Sequence, residues 1–269
     1  MSKVILITGA SSGIGKACSE YLVQKGHTVY GTSRKAMTSD LPNMHFVQMD
    51  VTDRQSVIDG VARVIEKEGH IDVVMNNAGM GIMGSLELAT EEEVRLQMDA
   101  NFHGVVNVCS AVVPYMRKRR SGHVINVSSI GGVMGLPYQG FYSASKFAVE
   151  GYSEALSLEL HRFGLKVTLI EPGDFNTGFT GNRKLSEATL ACDDYRESFK
   201  TTLGLVEKEE LGGSHPIKIA KAVEKIINKK NPPFRYPIGN FEQVLSIYVK
   251  RLLPSKWYSA ILRSYYKVY

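Results

Sequence analysis

Val4 to Ile7 is a run of four apolar residues that ends in a glycine-rich turn, the pattern of a strand buried on both faces. Ala17, Tyr21 and Leu22 then recur at helical spacing up to Lys25-Gly26. Thr28 to Gly31 and His45 to Met49 read as the second and third strands. Val57, Val61, Val64 and Ile65 mark a helix closed by Gly69, and Ile71 to Met75 a fourth strand. Thr90 with Glu93 forms a capping box that opens a long helix from about Glu91 to Arg119. Val124 to Val127 is the fifth strand, Phe147 to Leu160 a helix, and Val167 to Ile170 the sixth strand.

Strands and helices alternate, so the expected fold class is α/β: a doubly wound parallel sheet (Rossmann fold) with helices on both faces. Residues 1–269 read as a single domain without an internal linker. Two segments break the alternation, an insertion at about 174–214 and a C-terminal extension at about 240–269. Pro254 divides the latter into two basic amphipathic pieces. Such pieces allow peripheral membrane contact, although packing on the domain or on a second subunit is their commoner use.

Composition narrows the class. The chain is 43% hydrophobic and 22% charged, ordinary for a globular protein. Its net charge of +5 is concentrated in a few places such as Arg117 to Arg120, so no nucleic-acid partner is expected. Cys18, Cys109 and Cys192 lie far apart without ligand spacing and read as reduced thiols in a cytoplasmic protein. The apolar start stops at Thr8-Gly9, too short for a signal peptide core. No stretch approaches the roughly 18 apolar residues of a membrane span.

The candidate chemistry begins with Thr8-Gly9-Ala10-Ser11-Ser12-Gly13-Ile14-Gly15, which joins the first strand to the first helix. Glycines there let backbone approach a phosphate that the helix N-terminus attracts. Asn77, Ala78 and Gly79 follow the fourth strand, where open α/β sheets bind ligands, and Asp50-Val51 at the end of the third strand faces the same crevice. The second strand ends in Thr32-Ser33-Arg34-Lys35 with no acid before Asp40. An acid there suits a ribose hydroxyl and a cation a 2′-phosphate, so Arg34 favours NADP(H) over NAD(H). Tyr142 and Lys146 stand four residues apart, on one helical face. A cation about 4 Å from a phenol at an effective dielectric of about 20 favours the phenolate by about 4 kcal/mol, so Lys146 is expected to lower the Tyr142 pKa.

Thr8 to Gly15, Asn76 to Gly79, Ser129, Tyr142-x-x-x-Lys146 and Pro172-Gly173, in that order, resemble the short-chain dehydrogenase/reductase family. The run Asn77 to Glu87, Arg34 and the long tail most resemble its 17β-hydroxysteroid and retinol dehydrogenase-like branch. The resemblance implies hydride transfer between a nicotinamide and a carbonyl or carbinol carbon. It casts Tyr142 as the acid-base, Lys146 as the group that tunes it and bonds the nicotinamide ribose, and Ser129, thirteen residues before Tyr142, as holder of the substrate oxygen. Asn101 would bend the long helix and hold a proton-relaying water. Pro172, Gly173 and Thr177 (the PGxxxT pattern) would place the nicotinamide.

No metal is needed, because Tyr142 and Ser129 already stabilise charge on the reacting oxygen. His103, His123 and His161, without a carboxylate or cysteine at ligand spacing, read as structural. Phe175, Phe179, Phe199 and Leu203 in the insertion suit a lid over a lipophilic small-molecule substrate such as a steroid, retinoid or fatty chain. A homodimer or homotetramer is the family expectation. The alternatives are a 3-oxoacyl-[acyl-carrier-protein] reductase and a non-catalytic NADP(H)-binding redox sensor.

Overall fold

The computed structural model describes residues 2–268. Its elements in chain order are β1 (Val4–Ile7), α1 (Gly13–Gln24), β2 (Thr28–Ser33), β3 (Met44–Gln48), α2 (Arg54–Glu68), β4 (Val73–Asn76), β5 (Ile82–Met83), α3 (Glu91–Met98) and α4 (Gly104–Arg119). Then come β6 (His123–Val127), α5 (Gly140–His161), β7 (Lys166–Pro172), α6 (Phe179–Asn182), β8 (Lys184–Leu185), α7 (Glu187–Ala191), α8 (Asp193–Leu211), α9 (Ile217–Asn228), β9 (Arg235–Ile238), α10 (Phe241–Leu252) and α11 (Ser255–Tyr266). Seven strands form one parallel sheet in the order β3-β2-β1-β4-β6-β7-β9. The short β5 and β8 pair separately.

The uniformly apolar strands follow from burial on both faces. Val4, Leu6, Val74, Val124 and Leu169 point to the side covered by α2, α4 and α5, where they meet Val57, Val61, Val108, Val112 and Val149. Ile5, Ile7, Met75, Ile125 and Ile170 point to the other side, against Cys18 and Leu22 of α1 and Ile219, Val223 and Ile226 of α9. One strand thus feeds two cores through its two-residue period.

The strand order reverses between β1 and β4, so the turns after these strands splay apart and open a crevice. This places the turns carrying Gly9 to Gly15 and Asn77 to Gly79 side by side.

Several boundaries differ from the pattern reading for identifiable reasons. The long helix after Thr90 does begin with the capping box, in which Glu93 N–H donates to Thr90 Oγ1 at 3.2 Å. It is interrupted at Asp99–His103 by a π-helical turn containing Asn101. Helix α5 starts at Gly140 rather than near Phe147, because Gln139 supplies no side-chain cap to announce the start. The pattern reading assigned neither α9 nor β9. Strand β9 is an edge strand whose Arg-Tyr-Pro-Ile sequence lacks an apolar run, and Pro is tolerated only at an edge. Its Arg235 reaches across to Glu150, Glu154 and Glu171.

The insertion is folded rather than a long loop. Its Phe199 and Val206 are buried with Met83, against Tyr138, Leu190, Leu203 and Tyr266. Much of the apolar surface expected to form a lid therefore seals α7 and α8 onto the domain.

Candidate functional site

Backbone geometry builds the first half of the site. Gly9 has φ +67°, a region that L side chains rarely adopt, and a Cβ there would lie 2.9 Å from Ala78 Cα. A Cβ on Gly15 would overlap the Gly9 carbonyl oxygen and sit 2.6 Å from Asn77 Nδ2. The β1 and β4 turns are also tied by side chains. Thr8 Oγ1 accepts from the N–H groups of Asn77 and Ala78 at 2.9 and 3.0 Å, and Asn77 Nδ2 donates to Thr8 O at 3.0 Å and Gly9 O at 3.2 Å.

Helix α1 opens on Ser12 without a side-chain cap and without an acid in its first turn, so its free N–H groups face the crevice. Ser11 and Ser12 are exposed, Ile14 packs into the core, and Gly13 faces Thr177, whose Cβ would lie 3.4 Å from a Gly13 Cβ. A tight glycine turn under an uncapped helix N-terminus fits the diphosphate of a dinucleotide.

Arg34, at the end of β2, is exposed and forms no ion pair among the described residues. The Asp50 carboxylate accepts from Thr52 N and Oγ1 at 2.9 and 2.8 Å, and Val51 O accepts from Asn107 Nδ2 at 2.9 Å.

The second half gathers Asn101 from the π turn, Ser129 from the turn after β6, and Tyr142 and Lys146 from α5, three separate segments. Gly131 marks where two of them meet: its Cβ would lie 3.3 Å from Tyr142 Cε1 and 3.5 Å from Ser129 Oγ. Ser129 Oγ accepts from Gly131 N–H at 3.0 Å, which leaves its own proton to donate. Lys146 Nζ lies 5.8 Å from the Tyr142 ring centroid and donates to Val127 O at 2.9 Å. A Gly79 Cβ would stand 3.1 Å from Asn101 Oδ1 and 3.8 Å from Lys146 Nζ, so only glycine leaves this corner open.

Asn101 is buried rather than facing solvent. Its Oδ1 accepts from Met80 N–H at 2.8 Å, and its Nδ2 donates to Met80 O and to Ser145 Oγ, both at 3.0 Å. The side chain fixes the β4 turn against the π turn with all three groups engaged.

The electrostatics correct the sequence expectation. Burial pushes the Tyr142 phenol up to about 12, while a hydrogen bond with Ser129 pulls the other way. Burial also brings the Lys146 ammonium down to about 8, opposed by Glu150 one turn further along α5. The coulombic argument from the four-residue spacing allowed desolvation to take back only part of the shift, whereas here desolvation is the largest influence on both groups. His103 also departs from expectation: its Nδ1 pairs with Asp99 Oδ1 at 2.8 Å.

Across the crevice, Pro172 ends β7, and Gly173 N–H donates to Ile238 O at 2.8 Å. The Thr177 Oγ1 accepts from Phe179 N–H at 3.2 Å. The Phe179 ring stands 6.0 Å from the Tyr142 ring, with the Arg183 guanidinium 5.7 Å from the Phe179 ring centre. Arg183 is buried and paired with Glu210, which also accepts from Thr180 Oγ1 at 2.7 Å.

Asp174 is half-buried, accepts from Gln243 Nε2, and has no cation partner among the described residues. Burial and then Glu210 push its carboxyl up to about 6. Glu210 and Asp174 both raise the Tyr142 pKa and Arg183 lowers it, so this charged group acts on the phenol through its field, with Phe179 standing between Arg183 and the Tyr142 ring. The sequence reading gave none of Asp174, Arg183 and Glu210 a role. They lie up to 36 positions apart in a mixed-charge stretch, and no local spacing marks them.

The short chain dehydrogenase family model matches residues 3–188. A 3-ketodihydrosphingosine reductase of Bacteroides thetaiotaomicron is 56% identical over 266 residues, covering 99% of this chain and 98% of the relative. Retinol dehydrogenase 8 of Homo sapiens is 32% identical over 253 residues, 87% of this chain and 80% of the relative. A short-chain dehydrogenase structure from Streptomyces avermitilis superimposes with a TM-score of 0.84 at 33% identity, covering 100% of this chain and 98% of that one. Motif order, sheet topology and these likenesses agree, and the chain belongs to the short-chain dehydrogenase/reductase family of oxidoreductases.

Proposed function

We propose that the protein is an NADPH-dependent ketone reductase whose substrate is a long-chain 2-amino-3-ketone, the sphingoid base 3-ketodihydrosphingosine. The observation that carries this reading is the end-to-end likeness to the Bacteroides reductase named for that substrate. Among the steroid, retinoid and fatty-chain alternatives it selects the fatty chain, and adds a charged head.

Two features support the choice. Asp174, a half-buried carboxylate on the Tyr142 side of the crevice without a cation partner among the described residues, suits an ammonium on the carbon next to the carbonyl. Exposed Arg34 suits the 2′-phosphate of NADPH.

In this reading Gly9, Ser11, Ser12, Gly13, Ile14 and Gly15 hold the diphosphate. Asp50 and Val51 meet the adenine, and Asn77, Ala78, Gly79, Pro172, Gly173 and Thr177 flank the ribose and nicotinamide. A nucleotide held there would supply the hydride that the carbonyl carbon takes up. Tyr142 Oη gives its proton to the carbonyl oxygen, which becomes the alcohol. Ser129 donates a hydrogen bond to that oxygen as its charge grows. A phenol pushed up to about 12 keeps its proton until the developing alkoxide demands it. Lys146, brought down to about 8, is poised to return a proton to the phenolate near neutral pH. The missing side chain of Gly79 keeps a corner open between Asn101 and Lys146 for a proton path.

The test is NADPH consumption by the purified full chain with 3-ketodihydrosphingosine, retinal and a ketosteroid. The highest kcat/KM should fall on the sphingoid ketone. Preference for either of the others would overturn the substrate assignment.

A further inference from the structure

Helices α10 and α11 present two apolar stripes to the outside. On α10 these are Phe241, Leu245, Tyr248 and Leu252, at intervals of four, three and four residues that line one helical face. On α11 they are Trp257, Ile261 and Tyr265, four residues apart. The exposure is large for such side chains: Phe241 79%, Leu252 83% and Trp257 66%. The opposite faces are already satisfied, because Ile247 and Tyr258 are buried with Met134 beneath the helices. The stripes are therefore surplus to the core.

Charge says what covers them. Lys250, Arg251, Lys256, Arg263 and Lys267 against Glu242 give residues 241–269 a net charge of +4, out of +5 for the whole chain. Lys250 turns inward to donate to Val133 O, but Arg251, Lys256, Arg263 and Lys267 are exposed on the same two helices and their ends, flanking the apolar stripes. A two-fold pairing with a second copy would set this patch against its own like charge. An anionic bilayer surface satisfies both components at once, taking the apolar side chains into its interface and the cations at its headgroups.

We infer that α10 and α11 form a docking surface for anionic membrane lipid. The surface borders the reaction site. Met134, under both helices, follows the Ser129 turn closely in sequence, and Thr202 of α8 donates to Tyr266 O at 3.0 Å. A docked chain would hold the crevice at the bilayer, where a lipophilic ketone resides. The inference stands on the helices and does not require the substrate named above.

Trp257 is the single tryptophan of the chain, so its fluorescence reports this surface alone. The full-length protein is mixed with phosphatidylcholine vesicles with and without phosphatidylglycerol. With the anionic vesicles the Trp257 emission should shift to the blue and the protein should pellet. Raising salt from about 0.05 to about 0.5 M shortens the Debye length roughly threefold, and binding should fall about tenfold. Leu252→Asp should abolish the shift. Should that variant fail to fold, the exposed pair Lys256→Glu and Arg263→Glu keeps the test open, with the melting temperature as the check on folding.

No shift and no pelleting would overturn the inference. So would equal binding to both vesicle types, or a blue shift that depends on protein concentration without lipid, which would mean self-association. Turnover of a short, water-soluble amino ketone, measured without vesicles, tests the proposed reaction separately.

Discussion

The nucleotide side of the crevice and the substrate side are built by different means. On the first, glycines and the short side chains of Thr8 and Asn77, bonded to the backbone of two strand-to-helix turns, set the shape, and Thr8, Gly9, Gly15 and Asn77 leave almost no freedom. On the second, side chains far apart in sequence make the walls: Asp174 with Gln243, Arg183 with Glu210, and Tyr138 with Phe199 at 5.3 Å between ring centres. A dinucleotide common to many enzymes can be read by short local motifs. A particular substrate is selected by tertiary contacts that each chain arranges anew. This contrast explains why family membership follows from the site turns while the substrate needs whole-chain likeness.

The largest effect should come where the two sides meet. Tyr142→Phe removes the proposed proton donor and should lower kcat about a hundred- to ten-thousandfold, with NADPH affinity, measured by titration, little changed. Retained turnover would show that the acid lies elsewhere.

On the nucleotide side, Arg34→Asp removes a charge-assisted contact of roughly 1.5–3 kcal/mol, or about ten- to a hundredfold in affinity. NADPH should lose that factor and NADH almost none, as read from their dissociation constants. An equal loss for both would separate Arg34 from the phosphate.

Lys146 connects the site to stability. Its pKa falls from 10.5 to about 8 on burial, so between those values the unfolded chain holds the extra proton. Stability from this group is therefore greatest above pH 10.5 and is lost as pH falls through 8. At pH 7 the buried ammonium costs roughly 3 kcal/mol. Lys146→Met should raise the melting temperature at pH 7, and the gain should shrink by pH 10. A variant that melts lower at pH 7 would contradict the burial penalty.

On the substrate side, Asp174→Asn should raise KM for the amino ketone about tenfold, the effect of losing roughly 1.4 kcal/mol. The same variant should treat a ketone of equal chain length without the amine as the unaltered protein does. Equal effects on both would assign Asp174 a structural role through Gln243.

What the sequence disclosed follows the same division. The buried strands were legible because residues on both faces are apolar, and the Thr90–Glu93 box because capping is local. The Gly9-to-Gly15 turn and the Tyr142–Lys146 pair were visible as spacings. Strand β9 was hidden because its Arg235 serves Glu150, Glu154 and Glu171 across the sheet instead of an apolar core. The start of α5 was hidden because no capping side chain marks it. The Tyr142 pKa goes up where the spacing leads one to expect it down, because spacing conveys proximity but not how completely the phenol is buried. Asp174, Arg183 and Glu210 could not be read as a unit, since only the fold brings the end of β7, the α6 region and the end of α8 together.

The most direct test of the account follows the hydride itself. The full chain is incubated with 3-ketodihydrosphingosine and NADPH deuterated at the transferable position of nicotinamide C4, and the lipid product is examined by mass spectrometry. The account predicts dihydrosphingosine carrying one deuterium on the new carbinol carbon. Recovery of unchanged ketone, or of product without the label, would contradict it.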